Sequence, residues 1–207
     1  MFVTKVKICG ITNYEDAVAA IDMGADLLGF NFCPKSPRFM QSEAVAEIVN
    51  KLPASVDIVG VFVNAPLEQI RQIVDLCPLN WVQLHGDEEP KFCRELANDS
   101  VRTMKALRVK DAEDIKRMDD YFTDAILLDA YDPAKYGGTG RRFDWKTIGY
   151  RYRRIFLAGG INPDNAAEAS VLGVYGIDVC SGIEAKPGKK DHKKMKRLFD
   201  NIRHLRG

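Results

Sequence analysis

Residues 6–32 read VKICGITNYEDAVAAIDMGADLLGFNF, and this stretch holds one full structural repeat. Residues 6–11 form a short apolar run of the length of a strand. Asn13 is a helix N-cap residue, and the segment after it runs to Met23 before Gly24 supplies a stop. A second apolar run follows at 27–32. Strand, capped helix, strand is a βαβ unit. Apolar runs without polar alternation suit strands covered on both faces, as in a parallel sheet.

The alternation continues along the chain. Further apolar runs occupy 57–63, 81–85, 102–109, 125–130, 155–160 and 176–183. Helix-like segments lie between them. Ser42 is placed to cap a helix ending at Leu52 before Pro53, and Pro66 to open one ending at Leu76. Residues 90–97 and 110–121 predict two more helices, and 143–148 a short one. Asn162 is placed to cap residues 163–172, with Gly173 as the stop, and a basic amphipathic helix spans 191–205. Eight such units in 207 residues predict an α/β protein, a single (β/α)8 TIM barrel over residues 1–207 near the minimum size of that fold. A doubly wound open sheet is the alternative. Eight units exceed what a flavodoxin-like sheet uses, and no GxGxxG fingerprint follows the first strand.

Composition narrows the function classes. A formal charge of +1 and 46% hydrophobic residues describe an ordinary globular chain, not a nucleic-acid or membrane-surface protein. No apolar run approaches the roughly 20 residues that span a bilayer, and the start of the chain has no secretory h-region. Five cysteines without CxxC spacing argue against a disulfide framework and a structural zinc site. The expectation is a cytoplasmic protein with no nucleic-acid or membrane partner. The sequence leaves monomer and homodimer both open. The cluster Lys189, Lys190, Lys193, Lys194, Lys196 and Arg197 reads as a solvated face.

Barrel chemistry resides at the C-terminal ends of the strands. Those ends carry Cys9, Asn31 with Cys33, Asn64, Gln83 with His85, Arg108, Asp129, Gly159 with Gly160, and Ser181 with Gly182. The last two ends are glycine-rich, so backbone N–H groups lie uncovered for an oxyanion. They predict a phosphate cup, with Ser181 adding a hydroxyl, and hence a phosphorylated small-molecule ligand. The alternative for Gly159-Gly160 is a plain tight turn. A further run, Tyr136-Gly137-Gly138-Thr139-Gly140-Arg141-Arg142, lacks the Gly-Lys-Ser/Thr ending of a Walker loop and reads as a mobile flap over the ligand.

Two strand ends can move protons. Cys9 precedes a helix N-terminus, which favours the thiolate, and Lys7 lies two residues back. Asp129 closes the apolar run Ala125-Ile126-Leu127-Leu128. A carboxyl short of water there is a candidate general acid. One group to give a proton and one to take it is what an aldose–ketose rearrangement needs. Read from the residues alone, the alternative is a core cysteine and a loop-capping aspartate.

The segment Lys7-Ile8-Cys9-Gly10-Ile11-Thr12 resembles the signature of the phosphoribosylanthranilate isomerases. The likeness continues through Leu28–Phe32, Pro34–Arg38, Val59–Asn64, Val82–Glu88, Leu127–Asp129, Gly137–Gly140, Phe143–Trp145, Leu157–Ile161 and Asp178–Glu184. It implies an Amadori rearrangement of N-(5-phosphoribosyl)anthranilate in tryptophan biosynthesis, without metal, flavin, nicotinamide or pyridoxal cofactor. It assigns Asp129 as general acid and Cys9 as general base. Arg38 then holds the anthranilate carboxylate, Asp178 lies near the sugar hydroxyls, and Gly160 and Ser181 belong to the phosphate cup. Gln83 and His85 line the mouth as supporting groups. Neither Arg141-Arg142 nor Cys180 after Val179 is carried over from the resemblance. Another phosphosugar barrel, catalytic or not, is the remaining alternative. A metal-dependent epimerase needs paired His and acidic ligands, and the chain has only three histidines.

Overall fold

A computed structural model describes residues 4–97, 101–131, 143–148 and 153–206. Eight strands close into a parallel barrel in sequence order. They are β1 (Lys5–Cys9), β2 (Leu27–Asn31), β3 (Asp57–Phe62), β4 (Trp81–Leu84), β5 (Arg102–Val109), β6 (Ala125–Ala130), β7 (Ile155–Leu157) and β8 (Gly176–Val179). β1 pairs with both β2 and β8, which removes every sheet edge and rules out the open-sheet alternative.

The helices are α1 (Tyr14–Met23), α2 (Ser42–Val49), α3 (Leu67–Leu76), α4 (Pro90–Leu96), α5 (Ala112–Lys116), α6 (Ala166–Ser170) and α7 (His192–Ile202). Asn13 caps α1 by accepting the N–H of Asp16, and Gly24 ends it at φ +110°. Asp191 caps α7 in the same way. Several expected boundaries shift. Ser42 is the first helical residue of α2, not its cap. Asp111 caps α5, and the following Arg117–Asp120 tightens into a 3-10 turn. Asn162 accepts the Asp164 N–H in a turn before α6, so that helix opens only at Ala166.

β7 and β8 stop short of the expected 160 and 183. Beyond β8 the chain makes a 3-10 turn, Ser181–Ile183. It then forms a small hairpin, β9 (Glu184–Lys186) against β10 (Lys189–Lys190). Nothing in the sequence pattern announced this hairpin. It docks on the start of α1, where the buried Asp16 carboxylate accepts from the Lys190 N–H at 2.8 Å, Lys189 Nζ at 3.1 Å and His192 Nε2 at 2.8 Å.

The pleat sorts side chains into two layers. The larger apolar cluster lies between strands and helices. A smaller one, with Leu27, Val59, Trp81, Met104, Leu127 and Phe156, fills the barrel interior. The strand registers place Cys9 against Gly29, Lys7 against Asp178 and Arg108 against Asp129. Alternation from those pairs sends Lys7, Cys9, Gln83, Asp129 and Asp178 inward, above the apolar plug. Among the described residues, no helix is long and apolar enough to cross a membrane.

Candidate active site

Five of the strand-end groups converge on one polar floor. Lys7 is fully buried and donates to Asp178 Oδ1 at 2.8 Å. Gly29 makes the room: a Cβ there would lie 2.8 Å from Cys9 Sγ and 3.1 Å from Lys7 Nζ. Ammonium and thiol therefore share the space above a missing side chain. Burial works against the Lys7 charge, but Asp178 and Cys9 outweigh it and hold the ammonium above its ordinary value. Burial pushes Asp178 up to about 6 against the pull of Lys7, with the Cys9 and Asp129 charges adding to the rise.

Cys9 lies next to Cys180. The hydrogen bond from the Cys180 thiol, with the ammoniums of Lys7 and Lys190, holds Cys9 well below its ordinary value despite burial. The same bond and burial keep Cys180 protonated. Lys190 is buried, not solvated, which corrects the reading of that basic cluster. Its ammonium donates to the Cys9 carbonyl at 2.6 Å, the Cys180 carbonyl at 3.4 Å and Glu184 Oε1 at 3.1 Å, so all three protons have acceptors. Its neighbour Lys189 also belongs to β10 and not to the helix.

Asp129 is buried across the mouth on β6. Its Oδ1 accepts the Ala130 N–H at 2.9 Å, and His85 Nε2 lies 3.3 Å from Oδ2. Gln83 Nε2 lies 2.8 Å from His85 Nδ1. Gln83 thus orients the imidazole, and the imidazole faces the carboxyl. Gly159, at φ +85°, packs against this group: a Cβ would lie 2.7 Å from the Ala130 nitrogen and 3.1 Å from Asp129 Oδ1.

Arg38 forms a two-pronged pair with Glu184, Nε to Oε1 at 2.8 Å and Nη2 to Oε2 at 2.6 Å. That bond, against the cost of burial, keeps the guanidinium charged. Arg38 packs over Gly10, where a Cβ would meet its Cδ at 2.5 Å. The fork is therefore anchored beside Cys9 by a carboxylate that the sequence reading overlooked.

Gly159, Gly160, Ser181 and Gly182 come together where the β7 and β8 loops touch. A Cβ on Gly182 would lie 2.0 Å from the Ile161 carbonyl oxygen. Gly160 has φ +69°. All four are half-buried at the rim of the mouth. Arg141, Arg142 and the glycines 137–140 lie outside the described residues. Lys190, Glu184 and Cys180 are the site members that motif reading missed or set aside. The nearest signal was the spacing of Glu184 four residues after Cys180, which is no pattern on its own. Among the described residues, no group of three or more His, Cys, Asp or Glu side chains could hold a metal ion.

A family model described as N-(5'phosphoribosyl)anthranilate (PRA) isomerase matches residues 6–201. An N-(5'-phosphoribosyl)anthranilate isomerase from Citrifermentans bemidjiense is 50% identical over 205 residues, 98% of each chain. The crystal structure of phosphoribosyl anthranilate isomerase from Thermotoga maritima superimposes with a TM-score of 0.91 at 42% identity, covering 98% of this chain and 100% of that one. A further crystal structure is of a phosphoribosyl anthranilate isomerase in complex with reduced 1-(o-carboxyphenylamino)-1-deoxyribulose 5-phosphate. It matches at TM-score 0.87 and 41% identity, over 98% of this chain and 100% of that one. The chain belongs to the N-(5'-phosphoribosyl)anthranilate isomerase family.

Proposed function

We propose that Asp129 and Cys9 are the general acid and general base with which this isomerase carries out the Amadori rearrangement of N-(5-phosphoribosyl)anthranilate in tryptophan biosynthesis. Asp129 gives its proton to the furanose ring oxygen, and the C1–O bond opens to a Schiff base. The Cys9 thiolate takes the proton from C2, leaving an enolamine. The C2 hydroxyl then loses its proton as C1 gains one, and the ketone of 1-(2-carboxyphenylamino)-1-deoxyribulose 5-phosphate results. Atoms balance, and no redox partner is consumed.

The observation that carries this reading is the joint placement of two unlike groups. Both point inward at strand ends, Cys9 beside the ammoniums of Lys7 and Lys190, and Asp129 accepting the Ala130 N–H with the His85 ring 3.3 Å away. A base at neutral pH needs a stabilised anion, and a proton donor needs to face the ring oxygen it protonates. Arg38, fixed by Glu184, offers its outer N–H groups to the anthranilate carboxylate. Asp178 faces the sugar hydroxyls, with Gln83 and His85 beside the ring. Gly159, Gly160, Ser181 and Gly182 hold the phosphate. One catalytic domain spans residues 1–207. All five thiols are unpaired, and a thiolate base must stay reduced, which supports a cytoplasmic setting.

The test is the loss of substrate fluorescence on turnover. Cys9→Ala and Asp129→Asn should each lower kcat by several orders of magnitude while the product still binds. Near-wild-type kcat in either variant refutes the assignment.

A further inference from the structure

We propose that Cys9 and Cys180 form a reversible, oxidant-sensitive thiol pair, in which a hydroperoxide closes a disulfide across the barrel mouth and stops the enzyme. The geometry comes from barrel closure. β1 and β8 run side by side with Ile8 opposite Val179. Cys9 and Cys180 are the residues that follow this pair, the chain turning out of β8 at Cys180 (φ −127°, ψ −88°). Parallel neighbours are about 4.8 Å apart, and a disulfide spans Cα separations of about 4.4–6.8 Å. The two thiols act on each other electrostatically, Cys180 lowering Cys9 and Cys9 raising Cys180. A Cβ placed on the intervening Gly10 would lie 3.0 Å from Cys180 Sγ.

Two of the remaining thiols lack this setting. Cys77 and Cys93 are fully enclosed, and burial pushes both up to about 11. Such thiols are poor nucleophiles. Cys9 is the anion-favouring member, held by Lys7, Lys190 and Cys180, and it lies at the C-terminal end of β1 with 9% of its surface exposed. It attacks the terminal oxygen of the hydroperoxide. The O–O bond breaks, an alcohol leaves, and Cys9 becomes a sulfenic acid. Cys180 then attacks that sulfur, and the hydroxyl departs with the Cys180 proton as water. In total, two thiols and one hydroperoxide give a disulfide, an alcohol and water. A dithiol reverses the step by exchange.

Loss of turnover on closure rests on the role proposed for Cys9, whereas formation of the bridge does not, so the experiment reads both. The reduced protein is treated with hydrogen peroxide, and turnover, intact mass and peptide maps are followed together. The expected result is a loss of two hydrogen masses, a Cys9–Cys180 linked peptide, a parallel loss of turnover, and recovery with dithiothreitol. In folded Cys180→Ser protein, Cys9 should proceed to sulfinic acid, and dithiothreitol should not restore that variant to its own untreated rate. If the wild type instead accumulates Cys9 sulfinic acid, or bridges elsewhere, the switch is overturned alone. If the Cys9–Cys180 bridge forms without loss of turnover, the switch and the role of Cys9 both fall.

Discussion

Lys7→Met tests the electrostatic origin of the base. Methionine keeps most of the stem volume and removes the ammonium, which donates to Asp178 at 2.8 Å inside a dry site. An ordinary cysteine titrates at 9.0. If Cys9 returned fully to that value, about 1% would be thiolate at pH 7, so the loss of thiolate cannot exceed about 100-fold. The Cys180 and Lys190 contacts remain, so the expected fall in kcat/KM at pH 7 is about 10- to 100-fold. The deficit should shrink by up to about tenfold per pH unit as the medium approaches the new thiol value. The assay is kcat/KM by substrate fluorescence from about pH 6 to about pH 9. Removing one partner of a buried pair also costs about 3–5 kcal/mol of stability. The Lys7→Met/Asp178→Asn double variant carries no stranded carboxylate and supplies the same pH test in a sturdier protein. A variant-to-wild-type ratio that is flat with pH refutes the reasoning, whatever its size.

Gly159→Ala should strain the backbone by about 1–2 kcal/mol at φ +85° and press on Asp129. Steady-state kinetics should show kcat falling at least about tenfold with KM changed less, and a lowered melting temperature with normal kcat contradicts this. Glu184→Gln probes a carboxylate that Arg38 and Lys190 hold below its ordinary 4.5 despite burial. A depressed carboxylate contributes stability above its unfolded value, and loses it as pH falls through the folded one. The variant should therefore melt earlier than wild type above about pH 4.5, by about 3 kcal/mol, and the gap should close in more acid solution. A gap that is constant with pH, measured by calorimetry, argues against the ion pairs as its source.

The barrel was legible because each repeat carries local signals. Asn13 and Gly24 do in the structure what their residue types predict anywhere. The boundaries that shifted lie where short helices compete with turns, as at Asn162 and Ser42. Part of the mouth was also readable, since strand ends and barrel polarity name Cys9, Gln83 and Asp129, whereas Asp178 came only with the family resemblance. Closure was not local, and the open sheet stayed possible until β1 was seen to pair with β8. The groups that tune Cys9 were hidden for the same reason. Lys190 stands in a run of charges, and only the β9–β10 hairpin carries it under the Cys9 carbonyl. Glu184 gives no sign in the sequence that it will grip Arg38 146 positions away.

The β1–β8 seam also has a consequence in time. Asp178 meets Lys7 across 171 residues, and Lys190 meets Cys9 across 181. At a synthesis rate of about 5–20 residues per second, Cys9 emerges roughly 9–36 s before these partners. Through that interval it is an ordinary thiol on an unclosed sheet, without the ammonium of Lys190 or the donor Cys180. Its reactivity arrives with the last contact of highest sequence separation, the kind that forms late and slowly. The nascent chain thus carries its base in a dormant form, and completion of the barrel arms it.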